Sequence, residues 1–193
     1  MKLRNLSLAA ILLTGSSLSA ATISYYAILN GASEAPPNAS AGTGFALVTF
    51  DLALHTMEVN VTFSGLTGTT TASHIHCCTA VAGTGTVGVA TVLPSFTGFP
   101  TNVTAGSYDH TFDLTLASSY NPAFITTTVS AAEAALLAGV AADKAYLNIH
   151  SSTFTGGEIR GFLVPTPEPA TLGLVGLALA GLMAFRRPRP RQA

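Results

Sequence analysis

The chain has 193 residues, with eight Lys and Arg against nine Asp and Glu, a net charge of −1 that hides an uneven distribution. Six of the basic residues lie in the first four and last eight positions, so the 143 residues from Thr22 to Val164 carry only Lys144 and Arg160 against eight carboxylates, a net charge of −6. That stretch has the length of one domain with a real core, and its charge gives no electrostatic footprint for nucleic acid or anionic lipid.

Residues 1–21 read as a secretory signal. Lys2 and Arg4 supply the positive start, Leu6 to Leu18 the apolar stretch, and Ser19-Ala20-Ala21 the small residues of a cleavage site. This segment is expected to be helical and to be removed on export, which places the domain from Thr22 onward in an oxidising, extracytoplasmic setting.

From Thr22 onward short alternating runs are separated by Gly, Pro and Asn, the pattern of an all-β sandwich or barrel. Thr22–Leu29 reads as a first strand. Gly31–Gly44, with Pro36-Pro37-Asn38, reads as a loop, because paired prolines cannot donate to a central ladder. Ala46, Val48, Phe50 and Leu52 alternate along a second strand, and Met57, Val59, Val61 and Phe63 along a third. The turn between them holds His55, expected to be an exposed loop residue. Gly65-Leu66-Thr67-Gly68 breaks the pattern before Ser73-His74-Ile75-His76-Cys77-Cys78. Thr79–Gly85 reads as a loop, Val87–Leu93 as another apolar strand and Pro94–Gly106 as irregular. Asp109–Leu114 alternates again, with His110 on the apolar face beside Phe112 as a packing residue.

One helix is expected. Ser130 and Glu133 have the spacing of a capping box, Ala131–Ala138 is strongly helix-forming, and Gly139 reads as the stop. Its length suits a bridge between two strands. Ala145–His150 is a strand with Leu147 and Ile149 on one face and Tyr146, Asn148 and His150 on the other. Gly156-Gly157 makes a turn into a last strand, Glu158–Val164. The pattern therefore gives an all-β sandwich or barrel with one short helix. It is flanked by the signal helix and by a C-terminal hydrophobic helix.

At that C-terminal end, Pro167-Glu168-Pro169 precedes sixteen uncharged residues, Ala170–Phe185, and then Arg186, Arg187, Arg189 and Arg191. The apolar stretch is just short of the ~17–25 residues usual for a bilayer, and the arginines would hold its end on the cytoplasmic side. Residues 165–193 resemble the PEP-CTERM sorting signal of Gram-negative bacteria. The resemblance implies transient membrane anchoring through this segment, processing near the motif by an exosortase, and delivery to the cell surface or extracellular matrix.

Five stretches in order resemble the CHRD family: Leu29-Asn30-Gly31-Ala32-Ser33-Glu34-Ala35-Pro36-Pro37, Phe63-Ser64-Gly65-Leu66-Thr67-Gly68, His74-Ile75-His76, Leu147-Asn148-Ile149-His150, and Gly156-Gly157-Glu158-Ile159-Arg160-Gly161. They span nearly all of residues 22–164. Cys77-Cys78 departs from the family, which usually continues there into a Gly-containing loop. A remoter resemblance is to the copper/zinc superoxide dismutases, with His74, His76 and His150 where three copper ligands fall. The bridging histidine and the zinc loop of those enzymes are absent here. The place of their active-site arginine falls near Glu158, with Arg160 two residues on. The resemblance implies that the all-β fold is a Greek-key β-sandwich, superoxide-dismutase-like or immunoglobulin-like.

The residues themselves offer one chemical constellation. His74 and His76 share a strand face, His150 is placed to join them if the two strands are adjacent, and imidazoles in this number suit copper or zinc. Asn148, Glu158 and Arg160 are the candidates to orient the rings. Outward histidines that simply hydrogen-bond at the surface remain the competing reading. Cys77 and Cys78 leave three options open: a vicinal disulfide, a bond to another chain, or thiolates added to the histidine site. No serine or cysteine nucleophile has a supported base. The chain is therefore expected to be a surface or matrix binding or structural module rather than an enzyme, with an extracellular polymer or protein as partner. The alternative is a copper- or zinc-binding protein, vestigially dismutase-like.

Overall fold

The computed structural model describes Thr22–Pro167, so the expected signal helix, the hydrophobic segment 170–185 and the sorting residues Glu168, Pro169, Arg186 and Arg187 lie outside the described residues. Eight strands form between these limits: β1 (Thr22–Asn30), β2 (Thr43–Asp51), β3 (Thr56–Ser64), β4 (Thr70–Cys77), β5 (Gly106–Asp113), β6 (Ala145–Ser151), β7 (Ile159–Phe162) and β8 (Val164–Pro165). One helix, α1 (Val129–Ala141), precedes β6. No helix among the described residues is long and apolar enough to cross a membrane.

The strands are antiparallel throughout and run in the order β4-β6-β7-β1-β2-β3-β5, with β8 paired to β1. The sheet curls back on itself where β7 meets β1, which it contacts in register only at Asn30 and Arg160. Gly161 makes this approach feasible, because a Cβ there would run into the Ile28 carbonyl. The curl lays β4-β6-β7 over β1-β2-β3-β5 as an all-β, sandwich-like fold. Its inner faces follow the alternation of the sequence. Leu29, Val48, Phe50, Met57, Val59, Val61 and Phe63 from one wing meet Ile75, Leu147, Ile149 and Ile159 from the other, all buried. Each such side chain contributes about 1.5–3 kcal/mol by leaving water, so this register is strongly preferred over a one-residue slip.

Several local expectations are corrected. Val87–Leu93 is not a strand. It lies beside β4 as a strap with isolated bridges at His76–Val89 and Thr91–Tyr120, and the Ile75 N–H donates to the Thr91 hydroxyl instead of a backbone carbonyl. In α1 the cap is Thr128, whose side chain accepts from the Ala131 N–H, while Glu133 turns away to His55, whose ring Nδ1 lies 2.8 Å from its carboxylate. Gly139 does not stop the helix, which continues to Ala141, and Ala132, Leu136 and Val140 enter the core rather than merely bridging strands. The last strand is shorter than expected, ending at Phe162 before β8 begins at Val164.

Candidate metal centre

The site lies on the outer face of β4 and β6. Two-residue alternation sends Ile75 and Cys77 into the core and His74 and His76 outward, and in β6 sends Tyr146, Asn148 and His150 to the same side. The register sets His74 opposite Asn148, His76 opposite Tyr146 and His150 opposite Ala72, so His150 approaches His74 on the diagonal. The result is a cluster in which one ligand atom from each of His74, His76 and His150 lies within 4.8 Å of the others.

The second nitrogen of each ring is held by the backbone. The Nδ1 of His74 donates to the Pro94 carbonyl at 3.3 Å, that of His76 to Val87 at 2.7 Å and that of His150 to Thr155 at 2.9 Å. A carbonyl only accepts, so this network assigns the proton to every Nδ1 and leaves a lone pair on every Nε2. The Nε2 atoms of His74 and His150 are 2.9 Å apart, and that of His76 is buried without a hydrogen-bond partner. Two unprotonated Nε2 atoms this close, beside the unpartnered Nε2 of His76, are unfavourable unless a proton or a metal cation is shared between them.

Electrostatics keeps the rings neutral. Burial, reinforced by the neighbouring His150 and His76, pushes His74 down to about 3. Burial likewise lowers His76 to about 4, against the opposing bond to the Val87 carbonyl and with smaller help from His150 and Arg160, and it lowers His150 as well. Neutral imidazoles, with no carboxylate or thiolate joining them among the described residues, form a donor set for copper or zinc rather than magnesium or calcium. Two nitrogens bound to one ion at about 2.0–2.1 Å lie ~3.4 Å apart in a tetrahedral zinc site and at most ~4.2 Å apart on opposite sides of an ion, so the widest pair must close by more than ~1 Å for zinc and by less for copper with two rings opposed.

Tyr146 supports the cluster from one side. Its ring stacks on His76 with centroids 4.6 Å apart and planes 9° apart, while the Arg160 guanidinium lies 4.6 Å from the same ring. Arg160 is fixed in turn by the carbonyls of Ser33 and Gly85 and by Glu34, whose carboxylate is 3.8 Å away. Burial raises Glu34 to about 7 in spite of that guanidinium.

The residues expected to orient the rings do not hydrogen-bond to them. Glu158 is fully buried and bends the other way, accepting from the Ser40 hydroxyl at 2.6 Å, from the Thr67 N–H and from the Gly68 N–H at 3.2 Å. Asn148 leans toward Glu34 and Gly157, and Arg160 reaches His76 only through Tyr146. The orienting partners are backbone carbonyls, together with Tyr146, whose strand face is evident from the sequence but whose role is not. Cys77 and Cys78 are bonded to each other on the far side of β4, so neither is a ligand beside the histidines and neither is free for another chain.

Residues 25–163 match the CHRD domain, and residues 165–187 match the PEP-CTERM protein-sorting motif. No curated protein and no solved structure is found to match the chain.

Proposed function

The chain belongs to the CHRD-domain family and carries a PEP-CTERM sorting motif, and from that premise we propose that it is an exported surface module that holds one copper or zinc ion through His74, His76 and His150. The sorting motif makes it an exported bacterial protein of the cell surface or extracellular space, processed by an exosortase-type enzyme. In the fuller reading, residues 1–21 are cleaved, the domain spans 22–164, and residues 165–193 anchor it transiently in the inner membrane of a Gram-negative cell. An extracellular polymer or protein is then its partner.

One observation carries the metal reading: a ring nitrogen from each of His74, His76 and His150 lies within 4.8 Å of the others while every Nδ1 is placed against a backbone carbonyl. A surface histidine that only needed solvation would gain nothing from this orientation, whereas a ligand gains a fixed tautomer and a fixed ring plane. The role is binding rather than turnover, since among the described residues no carboxylate or second metal-binding loop stands beside the rings to manage protons or charge.

Equilibrium titration of the purified full chain with zinc and with copper tests this. One equivalent is expected, lost in His74→Ala. Binding below about 0.2 equivalents, unchanged by that substitution, removes the metal reading and leaves a structural module whose histidines only hydrogen-bond.

A further inference from the structure

The Cys77–Cys78 pair follows His76 directly, and the metal reading gives it no part. We infer that this disulfide is a redox latch on the three-histidine site, and that its reduction to two thiols weakens metal binding. The inference rests on the metal reading of His74, His76 and His150.

Both sulfurs lie against the Cα of Gly139, where the smallest side chain would collide with each of them. A mid-helix glycine costs about 1 kcal/mol relative to alanine, so its presence in an otherwise alanine- and leucine-rich helix has a packing reason. The disulfide is seated on α1 through this bare backbone. The same residues also terminate β4. Cys77 pairs with Ala145 at the end of the β4–β6 ladder, and its N–H donates to the Gly88 carbonyl. One residue along the same strap, Val87 supplies the carbonyl that orients the His76 ring. Sulfur seat, strand end, strap and ligand thus form one contiguous unit within a few residues.

Access is asymmetric. Cys77 is buried and Cys78 is half-buried, so an external thiolate reaches the Cys78 sulfur first. Attack by one thiolate of an external dithiol forms a mixed disulfide at Cys78 and breaks the Cys77–Cys78 bond. Cys77 leaves as a thiolate and takes a proton. The second thiol of the reductant then displaces Cys78, which also takes a proton, and the reductant departs as its own disulfide. Two electrons and two protons have moved to the protein. Unbonded sulfurs cannot keep bonding distance, and the Gly139 backbone blocks their separation on that side. The end of β4 and the strap must therefore shift, and His76 loses its fixed acceptor. Loss of an outer partner of a metal-bound histidine typically weakens binding ~10–100-fold.

The test compares the full chain before and after reduction with a water-soluble phosphine, which is removed before zinc is titrated against a chromophoric competitor. Thiol counting verifies that two thiols have formed. Affinity is expected to fall at least about tenfold on reduction and to return on reoxidation. A Cys77→Ser/Cys78→Ser variant is expected to sit at the weaker value and ignore the phosphine. Amide hydrogen exchange, measured without metal, is expected to rise in 70–77, 87–91 and 129–141 on reduction. Affinity unchanged within about twofold with both thiols counted overturns the latch. If the oxidised chain binds no zinc, the metal reading itself fails. Exchange that is also unchanged on reduction then removes the mechanical coupling as well.

Discussion

Replacing Glu158 by glutamine tests how the sequence holds β4 in place. The carboxylate is fully buried and accepts from the Ser40 hydroxyl and the Thr67 N–H on one oxygen and from the Gly68 N–H on the other, with the Ser151 hydroxyl also beside it. Thr67 and Gly68 lead directly into β4, so this one side chain ties the entry to the ligand strand to β7. Glutamine keeps the volume but turns one oxygen into an NH2 group. In either orientation that group faces a backbone N–H, of Thr67 or of Gly68, and two donors oppose each other. Hydrogen bonds to a charged group are worth about 1.5–3 kcal/mol each, so a loss of about 3 kcal/mol is expected at pH 7. The pH dependence gives a second check. Burial alone would raise the Glu158 carboxyl, but the hydroxyls of Ser151 and Ser40 and the N–H groups of Thr67 and Gly68 outweigh it and hold it below the ordinary value of 4.5. A depressed carboxylate contributes its stability above the unfolded value and loses it as pH falls through the folded one. Urea unfolding of wild type and Glu158→Gln should therefore differ most between pH 6 and 7, roughly, and converge toward pH 3. A difference below about 0.5 kcal/mol at pH 7, or one that stays constant down to pH 3, refutes the reasoning.

Three further outcomes are expected from the same geometry. In the metal-free protein His74 and His76 are held near 3 and 4 against an ordinary 6.5, so their contribution is fully present above pH 6.5 and is lost as pH falls toward those values. A His74→Gln/His76→Gln variant should show a shallower fall in stability between pH 6.5 and 4.5, and an identical slope contradicts this. Gly139→Ala should destabilise the oxidised protein by about 1–3 kcal/mol through collision with the sulfurs, yet stabilise a Cys77→Ala/Cys78→Ala background by up to about 1 kcal/mol; the same sign in both backgrounds means the sulfurs do not set the need for glycine. In a bacterium with the matching processing enzyme, replacing Pro167, Glu168 and Pro169 by alanine should leave a longer, cell-retained form by immunoblot. Release of a chain of wild-type length from that variant counts against the motif.

The strand framework is legible in the sequence because burial alternates at the same period. Met57, Val59, Val61 and Phe63 are written as one face and are buried as one. The histidine face is legible for the same reason, from the two-residue spacing of His74 and His76 and the apolar neighbours of His150. What makes a site of them is not. The diagonal approach of His150 depends on the β4–β6 register, and the acceptors from Pro94, Val87 and Thr155 are backbone groups that carry no side-chain signature. Gly139 reads wrongly as a stop because a glycine ending a helix and a glycine seating a disulfide look alike in a sequence. Thr128 does not stand out as the cap because three consecutive threonines precede α1 and Ser130 offers an equally good spacing. Glu158 begins the strand face that continues at Arg160, and only the bend of its side chain toward Thr67 and Gly68 removes it from the ring network.

The most direct measurement is X-ray absorption at the zinc or copper edge on the loaded full chain, paired with the His76→Ala variant. The account predicts a first shell containing three imidazole nitrogens at about 2.0–2.1 Å, falling to two in the variant. A shell dominated by sulfur or by water oxygens, or one unchanged by His76→Ala, would contradict it.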